Sequence, residues 1–593
     1  MFTTRPELIG TEGMVASSHW LASQTGMAVL ERGGNAFDAA VATAFVLSTV
    51  QPEQSTLGGE APVIAHDAGS GTTFVVNGQG TAPAAASAEL FASWGLDMVP
   101  FDGLLPACVP GMFGSLTLLL ERHGTLRLRD VLDYAIGYAE RGFPLSPLTA
   151  MSLRDAADRF RAQWPTSAAT FLPGGRVPEA HEIVTNPALA TTLRRILDEA
   201  EARGRDREGE IAAARDVFYR GFVAEAIDAF YREPAMDGTG TARPGLLRYE
   251  DLAGWEPLVE EPLTFDYHGL TVCKPRSWSQ APVLLQQLAI LEGFDLADTR
   301  PASAELVHTV VESAKLAFAD REAYYGDPAF ADVPIEHLIS REYADVRRKL
   351  ITDEASGELL PGDVPGYAPR LPGYVHGRPG SELEQYAPLP IIVPGSGQTN
   401  GDTVHLDVAD RHGNVVAITP SGGFLWGAPA LPGLGFPVGV RGQMFCLDDG
   451  HPNALQPGKR PRTTLSPSLA LRDGRPYMAF GTPGGDSQDQ WPLVFLLNHV
   501  HFGMNLQEAI DSPSWHSTHF PSSFLTRAST PKGLHVESRV GRPVVDDLRR
   551  CGHLVTEEEP WSLSLVSAVT RDERGVLRGA ASPRGLKAYA VGR

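Results

Sequence analysis

Residues 36–50, AFDAAVATAFVLSTV, spell a helix that is apolar on nearly every side. Such a helix is stable in water only when neighbours cover it all round. Asn35 stands before it as an N-cap, and the preceding helical text, WLASQTGMAVLERGG from Trp20, ends at Gly33-Gly34. Two glycine-bounded strand-like runs follow, LGGEAPVIAHD from Leu57 and TTFVVNGQG from Thr72. A sheet laid against a fully buried helix predicts a layered α/β sandwich.

The rest of the chain can build the cover that this helix needs. It has 593 residues, 43% hydrophobic and 20% charged, the make-up of a globular protein with a large core. A formal net charge of −21 argues against a general nucleic-acid partner. Cys108, Cys273, Cys446 and Cys551 stand far apart with no CxxC pattern, so neither a zinc cluster nor a disulfide framework is expected. The first residues lack a basic stretch followed by an apolar core, and no window approaches 18 uninterrupted apolar residues. These features point to a cytoplasmic chain without a membrane partner. No HExxH, Walker loop or strand-bound GxGxxG appears, and His516 and His519 in HSTH lack a third ligand at a suitable spacing. No metal or other cofactor is expected.

From about 110 to 350, helical segments such as LRRILDEAEARG and SAELVHTVVESAKLAFADREAYY alternate with short loops, without a repeat. The stretch from Gly357 to Gly401 is so rich in Gly and Pro that it reads as a surface linker or mobile segment. Immediately after it, TVHLDVADRHGNVVAIT alternates polar and apolar residues with period 2. A turn at Arg411-His412-Gly413 folds this text into a hairpin, with Gly413 at the left-handed position. Asp410 then faces Asn414, and Thr403 faces Ser421.

A threonine at the junction of a flexible segment and a strand can become an N-terminal nucleophile if the chain is cut just before it. Its α-amine titrates near neutrality and reaches its own Oγ, so it can serve as the base. Asp402-Thr403 is the candidate cut site. Further along, GKRPRTTLSPSLA precedes a strand-like PYMAF and then GTPGGDSQDQW, where Gly484-Gly485 offers backbone N–H groups suited to an oxyanion hole. Asp486 and Gln488 follow the glycine pair. The three cations of GKRPR fit a local ion pair or a substrate better than a nucleic-acid patch.

The order GDT–hairpin, QMF, GKRPRTTLSPS, GTPGG and FGMNLQEAIDSPSW, with the opening GMVASSHWLASQTGMAVLERGGNAFDAAVATAFVLSTVQPEQSTLGG, resembles the γ-glutamyltranspeptidase family of N-terminal nucleophile (Ntn) hydrolases. The resemblance runs over nearly the whole chain. It implies an α+β fold, a four-layer αββα sandwich, made as one precursor that cuts itself. Residues 1–402 would form a large subunit and 403–593 a small one beginning at the nucleophile, intertwined as one structural unit. The implied partners are therefore each other, as a heterodimer, and a small-molecule amide or acyl substrate, with higher assembly left open.

Carried over residue by residue, Thr403 would attack the carbonyl of Asp402 in maturation and later attack substrate. Ser421 matches the hydroxyl that supports the nucleophile, usually a Thr. Gly484 and Gly485 match the oxyanion-hole glycines. Thr463 and Thr464 match a serine pair lining the substrate site.

Two departures concern specificity. The family's Arg that clamps the γ-glutamyl α-carboxylate aligns with Gln79, and a neutral amide cannot give that bidentate pairing. The family's QMDD reads QMFC here, from Gln443 through Phe445 to Cys446, so the carboxylate that holds the α-amino group is absent. The segment from Cys446 to Gly458 is too short for the lid loop of many transpeptidases. Arg441 and Arg462 are new cations near the site in sequence, able to receive an acidic substrate from another direction.

The expected function is an autoprocessed amidohydrolase or acyltransferase whose acyl-enzyme is resolved by water or an amine. Substrates of family members without the glutamyl clamp widen it to glutaryl or cephalosporin side chains, oxamate, and oxalyl-type C–C cleavage in biosynthesis. A catalytically silent scaffold is the alternative of another class. A conventional serine hydrolase is disfavoured by the lack of a GxSxG elbow. His405, two residues from Thr403 on the same strand face, reads as a hydrogen-bonded structural residue, since the amine already supplies a base.

Overall fold

The computed structural model describes residues 2–376, 403–422, 425, 427–524 and 527–593. The early helices form as the sequence dictates. One spans Trp20–Glu31 and the next Ala36–Val50, with Asn35 as N-cap in a capping box with Asp38. Every residue of the second helix is buried. The strand-like runs that follow become Val63–Asp67 and Thr72–Asn77, paired antiparallel.

Those two strands belong to a seven-stranded antiparallel sheet. Its order is Tyr589–Gly592, Gly13–Ser17, Leu406–Asp410, Val415–Ile418, Val63–Asp67, Thr72–Asn77, Leu258–Glu260. Strands from before and after residue 403 are thus interleaved. A second antiparallel sheet of seven runs Leu8–Gly10, Leu577–Ala581, Ser567–Arg571, Arg475–Gly481, Ser468–Arg472, Leu270–Lys274, Leu263–Tyr267.

Strand alternation sorts the side chains into layers. Val404, Leu406 and Val408 join Phe37, Val41 and Phe45 in one core between the first sheet and its helices. Ala409 and Ala417 pack with Leu469, Ala479 and Val569 between the two sheets. Ala470, Met478 and Phe480 face helices Pro282–Leu291, Ala304–Tyr324 and Trp491–Phe502 on the far side. The result is helix, sheet, sheet, helix, as the resemblance implies.

The hairpin that carries Thr403 has the expected register. Leu406 pairs with Ile418 and Ala409 with Val415, and Gly413 turns the chain at φ +95°. Of the Gly/Pro-rich stretch, residues 377–401 lie outside the described residues; Gly373–His376 makes a short 3-10 turn. Among the described residues no helix is long and apolar enough to cross a membrane.

Candidate active site

Thr403 is fully buried at the open end of the hairpin and forms an isolated antiparallel bridge with Ser421. Their hydroxyl oxygens are 3.5 Å apart. Backbone bonds on both sides fix this pair: Val404 N donates to Pro420 O at 2.9 Å, and Ser421 N donates to Glu60 O at 2.9 Å. The turn bearing Glu60 can come this close because Gly59 lacks a side chain. A Cβ there would lie 2.1 Å from Ser421 O. Asp402, on the other side of the expected cut, lies outside the described residues.

Arg441 opens a 3-10 turn, Arg441–Met444, and is buried. Its Nη2 donates to Ser421 Oγ and its Nε to the Glu60 carboxylate. The cation expected to wait for substrate is therefore already ion-paired, against the second hydroxyl of the hairpin. Glu60 is a residue that the sequence left unremarked, although it follows directly on the LGG turn.

His405 is likewise committed. Its Nδ1 meets Thr419 Oγ1 at 2.9 Å and its Nε2 meets Asp407 Oδ1 at 2.9 Å, while Ser567 Oγ of the second sheet donates to Asp407 Oδ2 at 2.7 Å. This buried chain bridges the two sheets. Burial pushes the Asp407 carboxyl up, and His405 opposes the shift.

Gly484 and Gly485 follow the strand Arg475–Gly481 and have φ of +125° and +56°. A Cβ on Gly484 would lie 2.6 Å from the Trp491 ring. The left-handed pair therefore requires glycine, and backbone N–H groups in such a turn can form a concavity that binds anions. Gln280 ties this turn to the threonine pair: its Nε2 donates to Gly485 O at 3.3 Å and its N to Thr463 O at 2.8 Å. Thr463 and Thr464 are both buried, and Thr464 Oγ1 has no hydrogen-bond partner among the described residues.

Asn453 stitches the next wall together. It accepts from Arg462 N at 2.8 Å, donates to Met444 O at 2.7 Å, and its carbonyl accepts from Cys446 N at 3.2 Å. Burial pushes the Cys446 thiol up to about 12, so it stays a neutral group. Arg462, like Arg441, is buried and ion-paired, its Nη2 3.0 Å from Glu322 Oε1. Arg321 shares that carboxylate and reaches Asp486 beside Gly485. Tyr374 donates to Glu322 Oε2 at 2.8 Å. Arg527 braces the QMF segment, donating to the carbonyls of Gln443 and Phe445. Arg321, Glu322 and Arg527 escaped the sequence reading; an adjacent Arg-Glu pair inside a long helix was the available sign.

Gln79 is fully buried. Its Nε2 donates to Gly80 O at 3.2 Å, and its Oε1 has no partner among the described residues. Segment 106–109 joins it to Arg441: Val109 N donates to Thr81 O and Gly442 N donates to Pro106 O. Gln488 accepts from Ser466 N at 3.1 Å and so helps to fix the loop behind Gly485. The GKRPR cations are buried, so they form no surface patch.

The histidines of HSTH diverge: His516 stacks on His535, while His519 Nε2 meets Glu358 O at 3.1 Å. His308, Glu312 and His553 do converge elsewhere, but the Lys315 ammonium already occupies the Glu312 carboxylate.

The chain that carries the Thr403–Ser421 pair has counterparts in known proteins. The profile described as Gamma-glutamyltranspeptidase matches residues 22–592. The Glutathione hydrolase-like YwrD proenzyme of Bacillus subtilis (strain 168) is 30% identical over 582 residues, covering 98% of each chain. The solved structure of LmbA2991HD is 49% identical with a TM-score of 0.93 and full coverage of both chains. Cephalosporin acylase from Bacillus halodurans is 30% identical, with a TM-score of 0.82, over 100% of this chain and 98% of that one. A match along the full length, in sequence and in the αββα layering, places the chain in the γ-glutamyltranspeptidase family of Ntn hydrolases and acyltransferases.

Proposed function

We propose that Thr403 is the nucleophile of a self-cut amidohydrolase or acyltransferase whose substrate is not a γ-glutamyl compound. The observation that carries this is the buried Thr403–Ser421 pair, placed by the hairpin register at the mouth of the sheet. In maturation Thr403 Oγ1 bonds to the Asp402 carbonyl carbon, the C–N bond breaks, and the hydroxyl proton passes to the departing nitrogen. Water then hydrolyses the ester, leaving residues 1–402 and 403–593 as a heterodimer and a free α-amine on Thr403.

In turnover the amine takes the Oγ1 proton as Oγ1 attacks the substrate carbonyl, and returns it to the leaving amine. Gly484 and Gly485 N–H groups hold the oxyanion, a role worth about 10²–10³ in rate for a single donor. Water or an acceptor amine then releases the acyl group.

The acyl group lies against Gln79, Gln443, Cys446, Thr463 and Thr464, with Arg441 and Arg462 in the walls. Neither Gln79 nor Cys446 carries a charge to grip an amino-acid zwitterion, and this supports an acyl group of another kind, as in the cephalosporin acylase relative. All four cysteines are unpaired thiols, which supports a reducing, cytoplasmic setting.

The test is an intact-mass spectrum of fresh protein with N-terminal sequencing. Two chains, the smaller starting TVHLDV, are expected, and Thr403→Ala should remain whole and inactive. A Thr403→Ala protein that still appears as two chains with normal turnover sinks the proposal. An uncut wild-type chain after long incubation would instead favour a silent scaffold.

A further inference from the structure

Glu60 and Arg441 form a buried ion pair that touches the Ser421 hydroxyl, and the fold is shaped to admit it. A Cβ on Gly422 or on Gly439 would lie 3.2 Å from Glu60 Oε2, and Gly422 has φ +99°. Gly422 and Gly439 thus make room beside the carboxylate, while Gly59 lets its backbone come close to Ser421. A charge pair taken out of water is costly unless both ends are well bonded. Here two glycines leave room for the carboxylate that holds one guanidinium against Ser421.

The direction of the hydrogen bonds follows from chemistry. A guanidinium only donates, so Ser421 Oγ is the acceptor in its contact with Arg441. The Ser421 hydroxyl proton must then point away from Arg441, and Thr403 Oγ1 lies 3.5 Å away. We infer that Glu60 and Arg441 are positioning residues that turn the Ser421 O–H toward Thr403 Oγ1. Thr403 Oγ1 therefore accepts from Ser421, and its own proton remains for the nitrogen that takes it. As the Oγ1 proton leaves, the Ser421 dipole, polarised by the cation behind it, stabilises the charge growing on oxygen. Without Arg441, Ser421 can rotate and compete for the Thr403 proton. The inference rests on Thr403 being the nucleophile.

The other ionisable neighbours do not reproduce this. Burial pushes the Cys108 thiol, beside Glu60 and Arg441, far up, so it stays neutral. His405, two residues along the strand, is engaged by Thr419 and Asp407.

The experiment follows self-cutting of freshly made precursor by gel and intact mass. It compares wild type with Arg441→Met, Arg441→Lys and the double variant Glu60→Leu/Arg441→Met. The double variant removes both charges and so guards against misfolding, which its melting temperature checks. Slowing by about 10²-fold is expected for Arg441→Met and for the folded double variant. Partial rescue by Arg441→Lys is expected, since it keeps a charged donor.

In a Ser421→Ala background, Arg441→Met should slow cutting no further. A double variant cut as fast as wild type, or additive slowing in the Ser421→Ala background, overturns the inference. Thr403→Ala that still cuts overturns the underlying choice of nucleophile instead.

Discussion

The imidazole of His405 occupies the space beside Gly481, where an added Cβ would lie 2.4 Å from Cε1. The two residues belong to different sheets: His405 lies one residue before the strand Leu406–Asp410, and Gly481 ends the strand that leads into Gly484. The ring thus fills the gap between the hairpin that carries Thr403 and the strand that leads to Gly484. Gly481→Ala should force the ring or the strand to shift, at a cost of about 1–3 kcal/mol typical of overpacking. Thermal melts should show the loss and a maturation time course should show slower cutting; a variant that melts and cuts like wild type would remove His405 from this role.

Gly484→Ala is expected to do more damage to chemistry than to folding. At φ +125° an alanine is strained, and its Cβ would push on Trp491. Displacing one oxyanion donor should lower the rate by about 10²–10³. Comparison of kcat with KM on any accepted anilide checks this, since a loss confined to KM would place Gly484 outside the oxyanion hole.

A γ-glutamyl anilide should be a poor substrate. Each missing charge-assisted contact, at Gln79 and at Cys446, is worth about 1.5–3 kcal/mol, roughly 10- to 150-fold in kcat/KM. Side-by-side rates for γ-glutamyl and glutaryl 4-nitroanilide give the answer. Equal rates would mean that the zwitterion is gripped by groups other than those two positions.

Glu322 predicts a pH dependence. Burial alone would push its carboxyl up, but Arg462 and Arg321 outweigh burial and hold it at about 2, below the ordinary value of 4.5. A depressed carboxyl stabilises the fold fully above the unfolded value and loses that contribution as pH falls through the folded one. Stability should therefore drop between about pH 4.5 and 2 on this account. Burial pushes Asp407 and Asp489 the other way, so the difference between wild type and Glu322→Gln isolates the effect. The variant, leaving two buried guanidiniums short of a partner, should lose about 3–5 kcal/mol at neutral pH and show a flatter acid limb in denaturant titrations. An unchanged acid limb would assign the transition to other groups.

What the sequence disclosed depended on the range of the interaction. Period-2 text and a glycine at the turn set the Thr403–Ser421 register, because a hairpin's pairing is fixed by its own loop. The buried helix Ala36–Val50 was equally local, announced by its lack of a polar face. Arg441 and Arg462 were visible as charges but not as ion pairs, since their partners Glu60 and Glu322 lie far upstream, well beyond any local pattern. The same holds for the bridge from His405 through Asp407 to Ser567, which exists only once two sheets are stacked. Gln79 and Cys446 stood out only against the family pattern.

The interleaving of strands from both sides of residue 403 carries one more consequence. A break there would release a chain end without releasing a piece, because Gly13–Ser17 is hydrogen-bonded to Leu406–Asp410 on one side and to Tyr589–Gly592 on the other. The nicked protein would be a knit fabric with one thread snipped: dilution should not part the halves. Halves made separately would each have to slot strands between those of the other, so the uncut chain is the form expected to assemble this fold first.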